Sequence, residues 1–359
     1  MDTSLLGELS LWIDISIAGD RLIRKVVLFL GVALLIFSTH ISLELFMPLR
    51  FKDNSKEINI PRGSSFKQAI AILSQNSGQR DLTVLYVIGR LKGVDRRLKP
   101  GYYKLSDYIT PLEILDKFNR GDTVKIKLSI IPGYSLREIR LAMINSGLST
   151  MQDFEAVCTD MELMAELHID APSVEGYLLP ETYIIEKGMS VKEAVVMMVR
   201  LLRMRYPRDF TSKAQTLGMS EHEVLTLASI IEKEAQRDVE RSIISAVYHN
   251  RLRRRMPLQA DPTAIYGLKS AKEGVKAADL RNDNPYNTYK IAGLPPGPIA
   301  SPSLSSISAA INPSNLPYLY FVAKNDGTHH FSTTYREHRE AVNRYQKHFS
   351  KEYINDSQP

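Results

Sequence analysis

Two glutamates two positions apart, Glu232 and Glu234, stand out as groups able to do chemistry, inside the run LTLASIIEKEA at 225–235. The run reads as a helix, because Val224, Leu227, Ala228, Ile231 and Ala235 recur at the spacing of one helical face. At about 100° per residue, Glu232 falls between Ala228 and Leu225 on one flank. Glu234 falls between Leu227 and Ile230 on the other, and Lys233 points toward solvent. A carboxyl wedged among apolar side chains resists ionisation, so the pKa of Glu232 is expected to rise. A carboxylic acid still protonated near neutral pH can act as a general acid. The commoner fate of a helix glutamate is plain solvation on an outer face.

Long loops that could flank such an acid lie downstream: LQADPTAIYG (258–267), NPYNTY (284–289) and GLPPGPIASPS (293–303). Loops this long and this rich in turn residues inside a compact domain are usually functional. Their prolines hold backbone rigid without secondary structure. Tyr and Asn offer flat apolar faces beside hydrogen-bonding groups, which suits sugar rings. Gln259 and Asp261 could bind hydroxyls or an N-acetyl group, although Asp261 could equally cap a short helix over Thr263–Tyr266.

Stepping outward to the whole chain, 359 residues leave room for about two domains plus appendages. The formal charge of +6 is moderate, and no run of lysines and arginines suggests a nucleic-acid arm. The single cysteine, Cys158, excludes an intrachain disulfide. Val26–Leu43 carries no charged side chain apart from His40 and spans about 27 Å as a helix, close to the hydrocarbon thickness of a bilayer. Arg21, Arg24 and Lys25 precede it, which places the N-terminus in the cytoplasm and the rest of the chain outside. The long apolar run, its distance from Met1 and the lack of a small-x-small site favour an uncleaved anchor over a signal peptide. Residues 1–25 then form a cytoplasmic tail with some amphipathic character at Leu5, Leu6, Leu9 and Trp12, and 26–47 the anchor.

The expected class is α+β: a single transmembrane helix, a small α+β module over 53–123, and a larger helix-rich α+β catalytic domain over 124–350. In the module, strands at Glu57–Ile60 and Gly101–Leu105 enclose helices at Phe66–Gln75 and Thr83–Leu91. A helix over Thr110–Phe118, capped by Thr110 with Pro111 at its first position, follows. The pattern resembles a LysM-like module, the small glycan-binding fold of cell-wall proteins; a plain positioning domain is the alternative. Beyond a strand at Val124–Ile131, helices are expected at Ser135–Ser146, Thr150–Leu167, Val191–Arg203, after Ser220, and at Ser242–Arg255, Ser305–Ile311 and Glu337–Lys347. Strands are expected at Thr182–Ile185, at Tyr318–Ala323 and from Phe331.

The strings LASIIEKEA, YHNRL, LQADPTAIYG, NPYNTY, GLPPGPIASPS, PYLYFVA and HHFSTTYREH stand in an order and spacing that resembles the endolytic murein transglycosylase (YceG-like) family. The resemblance covers nearly the whole chain. It implies a bacterial inner-membrane enzyme, single-pass, with a periplasmic catalytic domain that cuts the glycan strands of nascent peptidoglycan internally. It places the catalytic glutamate on Glu232. It places substrate-binding positions on Asn250, Gln259, Asp261, Tyr286, Asn287, Thr288 and Tyr289, and on Glu175 and Glu181 of the EGYLLPETY segment, which also holds Pro180 and Tyr183. It implies no cofactor, and penicillin-binding proteins with elongation or division machinery as partners. Two departures are visible: Ile131-Pro132-Gly133-Tyr134 lacks the acidic residue that many relatives carry after the strand, and Ala260 replaces a common Ser or Thr.

One carboxyl suffices for such an enzyme. Ordinary glycosidases need two carboxylates flanking the bond, whereas Glu232 and Glu234 diverge by about 160° around the helix. A lytic transglycosylase uses the sugar's own C6 hydroxyl as a tethered nucleophile. Glu232 would protonate the leaving oxygen and then take the C6 proton, leaving a 1,6-anhydro-N-acetylmuramic end; Glu234 would buttress the fold, paired with Arg237 or Arg241. The alternatives are a hydrolase in which Asp261 activates water, and a non-enzymatic wall-binding scaffold for synthases. His329, His330 and His338 form no recognisable metal motif; His329, Phe331 and Thr333 are read as lining or bracing a cleft.

Overall fold

The computed structural model describes residues 3–51, 57–77, 81–106, 108–269 and 273–347. Most of the expected 50–56 linker, and the side chains of the N-terminal tail through residue 23, lie outside the described residues. The architecture mixes helices with three two-stranded sheets. The chain forms two compact units, 1–125 with 186–188, and 126–185 with 189–359.

The first unit begins with α1 (Thr3–Phe46), which continues without a break through the segment expected as a separate tail. Arg24–Phe46 is long and apolar enough to cross a membrane, with mean hydropathy 2.3. Then come β1 (Glu57–Ile60), α2 (Phe66–Ser77), α3 (Thr83–Leu91), β2 (Gly101–Lys104) and α4 (Pro111–Arg120). β1 and β2 pair antiparallel, Ile58 opposite Tyr103 and Ile60 opposite Gly101. Thr110 and Glu113 close a reciprocal capping box, with Pro111 at the first helical position, so α4 starts where its cap residues require. The core joins Ile58, Ile60, Phe66, Leu73, Tyr103 and Phe118 to Leu45 and Leu49 from the end of α1 and just beyond it. Gly89 is required by close approach: a Cβ there would lie 2.3 Å from Cζ of Phe66.

The second unit opens with β3 (Lys125–Ser129, its first residue counted with the first unit), followed by α5 (Leu136–Asn145), α6 (Met151–Cys158), α7 (Met161–Glu166) and β4 (Thr182–Glu186, its last residue counted with the first unit). The single helix expected over Thr150–Leu167 is two. Asp160 accepts hydrogen bonds from the backbone N–H groups of Glu162 and Leu163 and so starts a new helix where the first one ends. Next come α8 (Val191–Arg205), α9 (Phe210–Leu217), α10 (Glu221–Glu234), α11 (Arg241–Arg253), α12 (Asp261–Ile265), α13 (Leu304–Ile311), β5 (Tyr320–Ala323), β6 (His329–Ser332) and α14 (Tyr335–Val342). Helix α9 was not anticipated. Strand β6 starts two residues before Phe331, paired antiparallel with β5 so that Ala323 faces His329.

Helix α10 is the centre of this unit. Ser220 and Glu223 form its capping box, and every residue from Val224 to Ile231 is buried. Such all-round burial marks a core helix rather than a surface one. It packs on α11, α12 and α13, and Oγ of Ser229 accepts the N–H of Ile299 at 3.0 Å. The proline-rich loop is thereby pinned to the helix.

Candidate active site

The last turn of α10 sends three consecutive side chains in three directions. Glu232 turns toward the start of α13. Its Oε2 accepts the backbone N–H of Ser303 at 2.9 Å and the Ser303 hydroxyl, and Arg241 lies 3.2 Å away. Ser303 is the N-cap of α13, so this carboxylate sits at a helix N-terminus, where negative charge is favoured. With 6% of its side chain exposed, Glu232 is a buried ion-paired brace. The apolar setting expected around it is absent, because the chain returning through Ser303 and Arg241 covers that flank with donors. Arg241 pairs with Glu232, not with Glu234.

Lys233 was expected to face solvent. Instead its Nζ donates to the carbonyl of Gly133 at 3.2 Å.

Glu234 opens into a polar pocket of about 320 Å³ that it shares with Arg251, Gln259, Asp261, Tyr289 and His329. Burial and the nearby Asp261 charge push its pKa up to about 8, against smaller opposing effects from the Tyr248 hydroxyl and Arg251. The raised pKa expected of Glu232 belongs instead to the carboxyl two residues on.

The opposite wall is built by the expected loops. Gln259 holds a left-handed backbone, φ 49°, and its N–H donates to the Thr288 carbonyl at 3.1 Å. Oγ1 of Thr288 accepts the Ala260 N–H at 2.9 Å and lies 2.8 Å from Oγ1 of Thr263. Nδ2 of Asn287 donates to the Asn282 carbonyl at 2.9 Å. Thr288 and Asn287 are completely buried, so they shape the loop and do not face the pocket. Asp261 does not cap α12 through its side chain; its Oδ1 accepts the Tyr289 hydroxyl at 2.6 Å. Arg251, unremarked in the sequence, ties the wall together: Nε donates to the Leu319 carbonyl and Nη1 to that of Leu258, both at 2.7 Å. His329 joins through Nδ1, 2.7 Å from Glu240.

The remaining expected positions lie elsewhere. Asn250 donates through Nδ2 to the carbonyls of Leu316 and Tyr318, both at 2.8 Å, and braces that segment. Glu181 is exposed and accepts the N–H of Thr182. Pro180 adjoins it, and Tyr183 donates to the Leu179 carbonyl at 2.5 Å. Glu175 is buried against a second pocket of about 200 Å³. It accepts the Leu136 N–H at 3.0 Å and the Tyr266 hydroxyl at 2.8 Å, and burial pushes its pKa up to about 7. Tyr286 stands beside Tyr266, ring centroids 4.6 Å apart. Among the described residues no group of three or more His, Cys, Asp or Glu side chains is placed to hold a metal ion.

Gly176, next to Glu175, has φ +81°, and a Cβ there would come within 2.4 Å of Pro298. Gly176→Ala is expected to lower stability by about 3 kcal/mol, from backbone strain plus overpacking, and thermal unfolding measures it.

The YceG-like family model matches residues 58–344. The chain belongs to the YceG-like family. It is 32% identical over 304 residues to the endolytic murein transglycosylase of Bacillus subtilis (strain 168), covering 80% of this chain and 84% of that one. Identity to the endolytic murein transglycosylase of Streptococcus pneumoniae serotype 2 is 29% over 321 residues, and there the match spans 58% of the relative's length. A crystal structure of a yceG-like protein from Listeria monocytogenes matches with a TM-score of 0.56 at 32% identity, covering 80% of this chain and 99% of that one. The match at 58–344 takes in residues of both compact units.

Proposed function

We propose that this YceG-like chain is an endolytic murein transglycosylase, an enzyme that cleaves peptidoglycan glycan strands, with Glu234 as its acid. The observation that carries the assignment of the acid is Glu234 itself: a carboxyl pushed up to about 8, lining a pocket with Gln259, Asp261 and Tyr289. Below that pH Glu234 holds a proton to give to the glycosidic oxygen as the C1–O bond breaks. The muramic acid C6 hydroxyl then bonds to C1, and the Glu234 carboxylate takes the C6 proton. The ring closure is intramolecular, so it needs no second carboxylate. Asp261, held by Tyr289, and Gln259 are positioned to accept and donate hydrogen bonds to the bound sugars.

The presence of Asp261 in the same pocket favours one second reading, hydrolysis with Asp261 activating water. Digestion of sacculi followed by mass analysis of the sugar ends separates the two. Anhydro ends are expected; reducing ends overturn the transglycosylase step. Cleavage is expected to fall as pH rises through about 8, where Glu234 loses its proton. A rate that keeps climbing past that pH would remove Glu234 as the acid.

The β–α–α–β order of the first unit supports reading 53–123 as a LysM-like module ahead of a transglycosylase domain over 124–350. Helix α1 fits a single-pass anchor, and the basic residues before its apolar stretch support an orientation with the N-terminus cytoplasmic and the enzyme periplasmic. Penicillin-binding proteins and elongation or division machinery are the partners that this role would bring.

A further inference from the structure

The second pocket has a charge pattern that the cleavage step does not use. It lies between the start of α5, the end of α10 and α12, and its lining includes Arg137, Glu138, Glu175, Lys233, Tyr266 and Lys269. Its anions are occupied. Glu138 accepts the Ser135 N–H at 2.8 Å in a capping box. Glu175 is held by Leu136 and Tyr266, and is partly neutral at pH 7. Of its cations, Lys269 is neutralised by Asp279 at 2.6 Å. Arg137 is exposed and has no hydrogen-bond or ion-pair partner among the described residues, and Lys233 has only a carbonyl. Two positive charges are thus left facing the pocket beside an apolar floor that includes Pro262 and Ile265.

This pocket is also the neighbour of the polar one. Lys233 lines this pocket and Glu234 the polar one; Pro262 lines this pocket and Asp261 the polar one. The two pockets are thus lined from consecutive positions of α10 and of the 258–267 loop.

We propose that this pocket is a subsite for a carboxylate carried by muramic acid, with Arg137 and Lys233 as its cations. The proposal rests on the transglycosylase reading. An arginine fork and an ammonium converging on one carboxylate give charge-assisted hydrogen bonds. The carboxylate has two sources: the peptide stem, or the lactyl group once the stem is removed. A neutral N-acetylglucosamine chain has neither, so the pocket would let the enzyme discriminate wall glycan from other β-1,4-linked amino sugars.

The test uses the full-length chain carrying Glu234→Gln, so that ligands are bound and not cut. Three probes are compared: peptide-bearing glycan, amidase-treated glycan with free lactyl carboxylates, and an uncharged N-acetylglucosamine hexamer. At least one muramic ligand is expected to bind about 10-fold tighter than the hexamer. Whichever of the two does so identifies the carboxylate. Adding Arg137→Ala is expected to collapse that gap, Arg137→Lys to restore part of it, and Lys233→Gln to narrow it. A gap that survives both Arg137→Ala and Lys233→Gln, or no gap at all, overturns the subsite. Failure of the underlying reading looks different: the chain with Glu234 intact would release no fragments from any glycan.

Discussion

Glu234→Gln is expected to lower glycan cleavage by about 10³-fold or more while leaving the fold intact, because removal of an essential general acid costs at least that order. Glutamine keeps the shape but carries no proton to give. The folded carboxyl keeps its proton up to about 8, whereas an unfolded one releases it near 4.5. Between those values only the folded chain binds the proton, so this group's contribution to stability is full below 4.5 and is lost as pH rises through about 8. Replacement by glutamine should therefore flatten the pH dependence of unfolding across that window, by about 5 kcal/mol. Release of muropeptide fragments from sacculi and unfolding curves at several pH values read the two effects separately. Full cleavage by well-folded Glu234→Gln protein would sink the assignment.

Arg241→Met should destabilise the chain by about 3 kcal/mol, because it strands the Glu232 carboxylate without its cation in a site where 6% of that side chain meets solvent. The loss should be shared with α13, since Arg241 also hydrogen-bonds the Ser306 hydroxyl at 2.5 Å. The double variant Arg241→Met/Glu232→Gln should regain part of the stability, because the uncompensated charge is then gone. Urea unfolding of the two single variants and the double variant measures the coupling. Glu232→Gln alone should keep the cleavage chemistry, since its carboxylate lines neither pocket. Loss of cleavage in a stable Glu232→Gln protein would return the catalytic role to that position.

Where side chains and backbone compete locally, the sequence was readable. The boxes Thr110/Glu113, Ser190/Glu193 and Ser220/Glu223 bind their own helix starts, so those starts follow from a few neighbouring residues. The break at Asp160 obeys the same chemistry but is hidden inside an apolar run that reads as one helix. The choice between Glu232 and Glu234 was not readable from α10, because both occupy flanks of the same stripe. What decides between them is distant chain: Ser303, 71 residues on, covers one flank, while the loop holding Asp261 leaves the other open. The loops at 258–267 and 284–289 were recognisable as functional from their residue types. Which of their members face inward was not, because Thr288 and Tyr289 differ only in the direction the turn gives them. Thr288 knits the turn from within, and Tyr289 reaches the pocket.

The end of α10 tolerates no shift in phase. Its closing three side chains engage Ser303 with Arg241, Gly133, and the polar pocket in turn. Deleting a single residue upstream within the helix would rotate this trio by about 100°, delivering Ala235 where the proton donor belongs and unlatching two neighbouring segments together. The spacing between Ser220 and Glu234 is therefore set by the cap at one end of the helix and by three separate engagements at the other.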